Sequence, residues 1–285
     1  DPGAGTFNLT SVASFDVFIQ KLDSSGNFIW AKAFGGNNSD QAVSVTVDDF
    51  GNVYTIGKFK GTADFDPGAG TFNIYSTSTN HYDIFIQKLD ASGNFLWAKA
   101  FGSTVDDRGL SITVDASGNV YTTGFFEGTV DFDHGAGTFN LTSAGNHNLF
   151  IQKLDASGNF LWAKSFGSTS DDQGNSITVD AYGNVYTTGS FAGTVDFDPG
   201  AGSFNLTSAG VYDVFVQKLT HNGDYLWVNT YGGPGNDAAY ELCLGASNSI
   251  YISGHFQDSV DFNPSIVSSN IISSNGLLDA FAQKL

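Results

Sequence analysis

Four tryptophans, Trp30, Trp97, Trp162 and Trp227, stand 67, 65 and 65 residues apart, and the sequence around each is a copy of the others. A fixed period of this size is the mark of a repeat architecture. Each unit is one supersecondary element that cannot bury its hydrophobic face alone and must stack on its neighbours. The fullest copy spans residues 148–210, and nearly all the rest of the chain is a variant of it. The copies divide the chain into a partial repeat 1–14, repeats 15–82, 83–147, 148–212 and 213–278, and a partial repeat 279–285. No Pro-rich or charged linker separates them, so residues 1–285 read as one continuous repeat domain.

Every copy has the pattern of strands. Val17, Ile19 and Lys21 alternate with Phe18, Gln20 and Leu22, a period of two that fits a strand and not a helix. Ser25-Gly26-Asn27 then turns the chain into a second strand through Trp30, which predicts a hairpin. Residues 42–48 form a short β-branched strand, and Phe50-Gly51-Asn52 turns it into residues 53–59. Residues 61–76, GTADFDPGAGTFNIYS, predict an inserted hairpin. Ala63 and Phe65 face one way, Asp64 and Asp66 the other, and Pro67-Gly68-Ala69-Gly70 makes the bend.

Composition agrees. Of 29 acidic residues only Glu127 and Glu241 are glutamates, and Asp serves turns where Glu serves helices. The expected fold is all-β: a β-propeller-like array of four-stranded blades with an inserted β-hairpin in each repeat. By analogy with common blade layouts, SITVD is the first strand, NVYTTG the second, FIQKL the third and NFLWAKSFG the fourth. Five FIQKL-type strands occur against four of each other type, so a four-bladed ring leaves one over. An incomplete ring and an open superhelical stack are the alternatives.

A formal charge of −18 repels nucleic-acid phosphates and anionic lipid, which argues against nucleic-acid partners. No run is long and apolar enough to span a bilayer as a helix, which argues against membrane insertion. Cys243 is the only cysteine, so no intrachain disulfide forms, and its place in a strand predicts a half-buried small residue. The chain has no Met and begins at Asp1 in mid-repeat, which suggests a piece of a longer or processed protein.

The run W-A-K-x-F-G, then an Asp, then S-I-T-V-D-x-x-G-N-V-Y-T-T-G, occurs in residues 97–124 and 162–189, and with substitutions in 30–57. It resembles the SBBP family of bacterial β-propeller repeats. The inserted DFDPGAGTFNLTS is similar to versions in Bacteroidetes surface proteins. The resemblance implies a propeller-like fold and a secreted or cell-surface bacterial protein. It implies no reaction, because the motif is structural. The fourth copy departs most, with Gly245 where the others have Asp48, Asp115 and Asp180.

Two acidic sets repeat. The first is the pair Asp64 and Asp66, with its copies Asp131 and Asp133, and Asp196 and Asp198, degraded to Asp261 and Asn263 in the fourth copy. Each pair lies on one strand face before a Gly-rich turn. Such carboxylates with nearby carbonyls make Ca²⁺ the candidate cofactor, although the spacing is not that of an EF-hand. The other reading is a solvated strand edge that discourages edge-to-edge pairing. Asp40, Asp107, Asp172 and Asp237 occupy the bend before the first strand. There they would bond backbone in an Asx-type turn or on a neighbouring blade, or share a cation between blades.

The four tryptophans, set among alternating apolar residues, suit packing between blades better than ligand stacking. Phe125, Phe126, Tyr182 and Tyr212 vary between copies and suggest a glycan-binding surface. Asn8, Asn38, Asn140 and Asn205 begin N-x-S/T sequences and read as polar loop and strand residues. The five histidines sit at non-equivalent positions, and neither a zinc-binding helix motif nor a nucleophile elbow is present. A glycosidase carboxylate pair would have to be assembled across blades.

The expected function is therefore non-enzymatic. It is that of a secreted or cell-surface repeat protein for adhesion, scaffolding or ligand binding, its partner an extracellular ligand, glycan or surface protein. A purely structural segment of a long surface protein or filament and a carbohydrate-active enzyme are the alternatives.

Overall fold

The computed structural model describes residues 5–263 and 270–285. The DPGA start of the first partial repeat and the PSIVSS stretch of the fourth inserted hairpin lie outside the described residues. The chain is all-β, and among the described residues the one departure is a three-residue 3₁₀ turn at Ala246–Asn248. No helix among the described residues is long and apolar enough to cross a membrane. Two compact units are present, residues 1–109 and 110–285.

The predicted strand order is the observed one. In the second unit, Gln173–Val179, Val185–Phe191, Asp213–Leu219 and Tyr225–Tyr231 form one four-stranded antiparallel sheet in that sequence. Arg108–Val114, Val120–Phe126, Asn148–Leu154 and Phe160–Phe166 form its sibling. In the first unit, Gln41–Val47, Val53–Phe59, Asp83–Leu89 and Phe95–Phe101 do the same. Each complete sheet takes its first two strands from one sequence repeat and its last two from the next.

That offset accounts for the surplus FIQKL strand. Asp279–Lys284 is the third strand of a three-stranded sheet with Ala238–Leu244 and Ile250–Phe256. Among the described residues Val17–Leu22, the first strand of this type, pairs only with Phe28–Gly36, beyond which the hairpin Thr62–Asp64 and Asn73–Tyr75 continues the sheet.

The turn between first and second strands shows why the sequence closes here. Asp180 Oδ1 accepts the N–H groups of Tyr182 and Asn184, its Oδ2 accepts the Asn184 amide and the Tyr186 hydroxyl, and Gly183 supplies φ +77°. Asp48 and Asp115 make the same set. The fourth copy has Gly245 instead of Asp, and the 3₁₀ turn with positive φ at Ser247 and Asn248 replaces the Asp-bonded turn.

Packing between sheets follows the alternation. Tyr121, Ile151, Ile177, Phe191, Phe197 and Phe215 meet in one buried cluster, and Tyr186, Val216, Leu242, Ile252 and Phe262 in the next. Val17, Phe34, Phe59, Phe65 and Phe85 form the core of the first unit. The inserted hairpins belong to these cores. Phe65, Phe132, Phe197 and Phe262 are buried, and their carbonyls accept hydrogen bonds from Gln87, Gln152, Gln217 and Gln283 at 2.6–2.9 Å.

Two local expectations change. Cys243 is exposed in Ala238–Leu244, not half-buried. Phe125 and Phe126 are buried in the second strand and form no surface.

Candidate functional site

The two acidic sets are engaged by backbone. Asp64 Oδ1 accepts the N–H groups of Asp66 at 3.1 Å and Phe72 at 2.8 Å, and Asp66 Oδ1 accepts that of Gly68 at 2.8 Å. In the second hairpin Asp131 Oδ1 accepts from Asp133 and Phe139, and Asp133 Oδ1 accepts from Gly135. In the third, Asp196 Oδ1 accepts from Asp198 and Phe204, and Asp198 Oδ1 accepts from Gly200. A Cβ on Gly70, Gly137 or Gly202 would collide with the carboxylate of Asp66, Asp133 or Asp198, so each loop is wrapped on that side chain.

Among the described residues no group of three or more His, Cys, Asp or Glu is placed to hold a metal ion, so Asp64, Asp66, Asp131, Asp133, Asp196 and Asp198 belong to no such cluster. The physical reason is local. Each pair turns its oxygens onto the amides of its own hairpin, and a third acidic side chain is not brought alongside.

Asp172 bridges segments distant in sequence. Its Oδ2 accepts the Ser168 N–H at 2.6 Å, just after the fourth strand of one sheet. Its Oδ1 accepts the Ala192 N–H at 2.9 Å, just after the second strand of the next sheet. Asp237 does the same with Gly233 and Gln257. Asp40 accepts from Gly36 at 2.7 Å, and Asp107 from Ser103 at 2.6 Å. All four are buried. Burial pushes the Asp40 and Asp172 carboxyls up to about 6 and raises Asp237, against the lowering effect of the amide bonds.

The tryptophans clamp turns. Trp162 Nε1 and Lys153 Nζ both donate to the His221 carbonyl, at 3.2 and 3.1 Å. Trp30 and Lys21 do the same to Ala91. Trp97 and Trp227 lie edge-on to Tyr54 and Tyr186 at 6.3 Å.

What differs from copy to copy lies near the start of the first strand. A cleft of about 370 Å³ opens there in the second unit, between Gln173–Val179 and Ala238–Leu244. Gln173, Asn175, Ser190, Tyr212, Asn236, Asp237, Tyr240, His255 and Leu278 line it. The Tyr240 and His255 rings meet at 5.2 Å. Asn175 Nδ2 donates to the Ala239 carbonyl at 2.9 Å, and the Tyr212 hydroxyl to Asp171 at 3.3 Å. Burial lowers the His255 imidazole below its ordinary value, against the raising effect of Asp237, and so favours its neutral form. Burial first, and then Asp171, raises the Tyr212 phenol.

With Asp237 committed to two backbone amides, the polar groups left to a ligand are amides, hydroxyls and a neutral imidazole beside an aromatic face. This chemistry suits hydrogen-bonding recognition of an uncharged polar molecule.

Of the variable aromatics, only Tyr212 reaches this cleft. Tyr182 is exposed in the turn between first and second strands, at the opposite end of the sheet. The sequence carried a signal for Tyr240 and His255. Tyr240 stands where other copies have Val43, Leu110 and Asn175, and His255 where they have Lys58, Phe125 and Ser190. Equivalent rims elsewhere hold other pairs, Lys58 4.4 Å over Tyr82 and Phe125 4.2 Å from His147.

The SBBP model, described as a beta-propeller repeat, matches residues 29–58 and 161–190, the segments that carry the W-A-K and N-V-Y-T signatures. The chain is 26% identical over 284 residues to an uncharacterized WD repeat-containing protein of Acanthamoeba polyphaga mimivirus, covering 86% of this chain and 20% of that protein. It is 23% identical over 262 residues to the regulatory protein FlaEY of Caulobacter vibrioides, covering 88% of this chain and 26% of that one. The chain thus spans a quarter or less of one of these relatives and about a quarter of the other. A crystal structure of a protein of unknown function from Bacteroides caccae superposes with a TM-score of 0.43 at 10% identity, over 92% of this chain and 74% of that one.

Proposed function

We propose that this β-propeller repeat protein is a non-enzymatic, extracellular or cell-surface binding module whose fourth-repeat cleft takes a neutral polyhydroxylated ligand, a glycan. The observation that carries the reading is the pairing of the Tyr240 and His255 rings above uncharged donors and acceptors. An aromatic face packs on the apolar C–H face of a sugar while amides and hydroxyls bond its hydroxyl groups. The charge of −18 disfavours anionic ligands and leaves neutral ones. Adhesion or scaffolding is the role such a module serves on a surface.

Binding of the intact chain to a neutral glycan array, repeated with Tyr240→Ala, tests the proposal. Retention of Tyr240-dependent binding to neutral sugars supports it, and an array with no Tyr240-dependent signal overturns it. Cleavage of a polysaccharide that is lost on changing one carboxylate pair would overturn the non-enzymatic part. A second reading, a structural segment of a larger assembly, is favoured by the uncovered side chains of Val45 and Tyr251.

A further inference from the structure

The chain carries 11 lysines and arginines, and eight of them occupy repeat positions. Lys21, Lys88, Lys153, Lys218 and Lys284 belong to the QKL strands, and Lys32, Lys99 and Lys164 to the W-A-K strands. The other three are Lys58, Lys60 and Arg108, and no other copy has Lys or Arg at their positions. All three lie in the first unit, where the fold brings them to one rim around Tyr82. Lys58 Nζ is 4.4 Å and Lys60 Nζ 4.7 Å from the centre of the Tyr82 ring. The Tyr82 N–H donates to Asp106 Oδ1 at 3.0 Å, and Arg108 reaches Asp106 Oδ2 at 3.4 Å.

Charge at this rim is out of balance. Among the described residues neither Lys58 nor Lys60 is ion-paired, and Asp106 is shared between Arg108 and His81. Asp83 and Asp107, next in sequence to Tyr82 and Asp106, are buried and turned onto the N–H groups of Thr77 and Ser103. Burial first, and then the positive charge of Arg108, hold the half-buried Lys58 ammonium below its ordinary range, with Lys60 adding to the effect and Asp106 opposing it. Three cations crowded beside one surface carboxylate repel one another, and an added negative charge relieves that repulsion.

We propose that Lys58, Lys60 and Arg108 form an anion site around Tyr82 that takes an oxyanion group, a carboxylate or a sulfate ester, of an otherwise neutral ligand. The ring holds both ammoniums in place before the ligand arrives, so less side-chain freedom is lost on binding. The guanidinium adds planar donors that match an oxyanion. The charge of −18 acts against a dense polyanion, which meets the field of the whole chain. A single oxyanion meets mainly the nearest charges, because salt screens the rest beyond about 8 Å. The site lies in the first unit and does not rest on the cleft of Tyr240 and His255.

Calorimetric titration of the intact chain with inorganic sulfate and with glucuronate, at low ionic strength, tests the proposal. Lys58→Gln with Lys60→Gln should weaken binding at least tenfold. Lys32→Gln with Lys99→Gln removes the same charge from repeat positions and should bind as the parent does. Asp106→Asn keeps an acceptor for the Tyr82 N–H and removes the opposing carboxylate, so it should bind at least threefold tighter, a gain that misfolding does not produce. Binding of glucuronate alone supports the proposal with a carboxylate as the group, and binding of sulfate alone supports it with a sulfate ester. No binding of either anion, equal loss in the two lysine pairs, or no gain from Asp106→Asn would each overturn it.

Discussion

Gln152 reaches from the middle of its strand to the inserted hairpin and donates through Nε2 to the Phe132 carbonyl at 2.9 Å, with both side chains buried. Gln87 and Phe65, and Gln217 and Phe197, are joined in the same way. The Gln comes from one sequence repeat and the Phe from the one before it, so the bond ties successive repeats. Gln152→Leu would leave the Phe132 carbonyl buried without this donor, at a cost of about 1–3 kcal/mol. Phe132→Ala would cost about 3–5 kcal/mol, because a fully buried ring leaves a cavity. Thermal unfolding should rank the variants in that order, and equal midpoints would show that the hairpin is not part of the core.

Stability should pass through a maximum in mild acid. Burial raises the folded carboxyls of Asp40, Asp172 and Asp213 to about 6 from an ordinary value of 3.8. Their contribution is fully present below the unfolded value and is lost as pH rises through 6. The Asp90 carboxyl is lowered by the backbone and side-chain bonds of Asn94. At Asp48 the bonds of Asn52 and Tyr54 outweigh burial. Their contribution is present above the unfolded value and is lost as pH falls through their folded values. Denaturant midpoints should therefore rise as pH falls from about 6 to about 4 and decline below that. Asp172→Asn should flatten the slope between about pH 4 and 6, and an unchanged slope would show that Asp172 does not titrate there.

The fold was legible because its determinants are repeated. A period of two around Phe18 and Gln20, the Asp-x-x-Gly-Asn turns and the Trp spacing each recur, so one reading serves every copy. The cleft was harder to see. Tyr240 and His255 are 15 residues apart in sequence. Only the pairing of Ala238 with His255 at the edge of the sheet brings their rings together. Phe125 and Phe126 show the opposite failure. Phe125 varies between copies as a surface residue does and Phe126 recurs as Phe59, Phe191 and Phe256, yet both are buried in their strand. The acidic pairs were ambiguous for another reason. Two Asp on one strand face look alike whether they face a cation or their own hairpin's amides, and only the folded loop shows Asp133 and Asp198 bonded to Gly135 and Gly200.

Tyr240 is partly solvent-exposed, and its substitution disturbs little packing. Tyr240→Ala should change stability by no more than about 0.5 kcal/mol while abolishing whatever binding the cleft supports. His255→Ala should act similarly. Calorimetric unfolding beside a binding titration separates the two effects, and a large drop in the unfolding midpoint would mark the pair as structural.

Calcium should have little influence on unfolding. Asp64 Oδ1 and Asp66 Oδ1 are already acceptors for three backbone N–H groups, and a cation there would have to displace or share those bonds. The same holds for Asp131 with Asp133 and for Asp196 with Asp198. We expect melting in millimolar Ca²⁺ and in excess chelator to coincide. A ligand-dependent rise would show that the hairpins bind the ion, since anything that binds the folded state alone stabilises it by mass action.

The turn gripped by Trp162 offers the sharpest test of how neighbouring sheets are held. Gly223 has φ +80°, and a Cβ there would lie 3.0 Å from Lys164 Cε and 3.2 Å from Trp162 Cε3. Gly223→Ala therefore meets two penalties. The left-handed backbone costs about 1–2 kcal/mol for an L-residue, and the indole must shift away from the His221 carbonyl that it and Lys153 share. His221→Ala leaves that carbonyl in place, so it should be nearly silent. With about 2–4 °C of midpoint per kcal/mol for domains of this general size, Gly223→Ala should melt several degrees lower and His221→Ala within a degree of the parent. If both behave alike, the clamp on the carbonyl contributes nothing to holding the sheets.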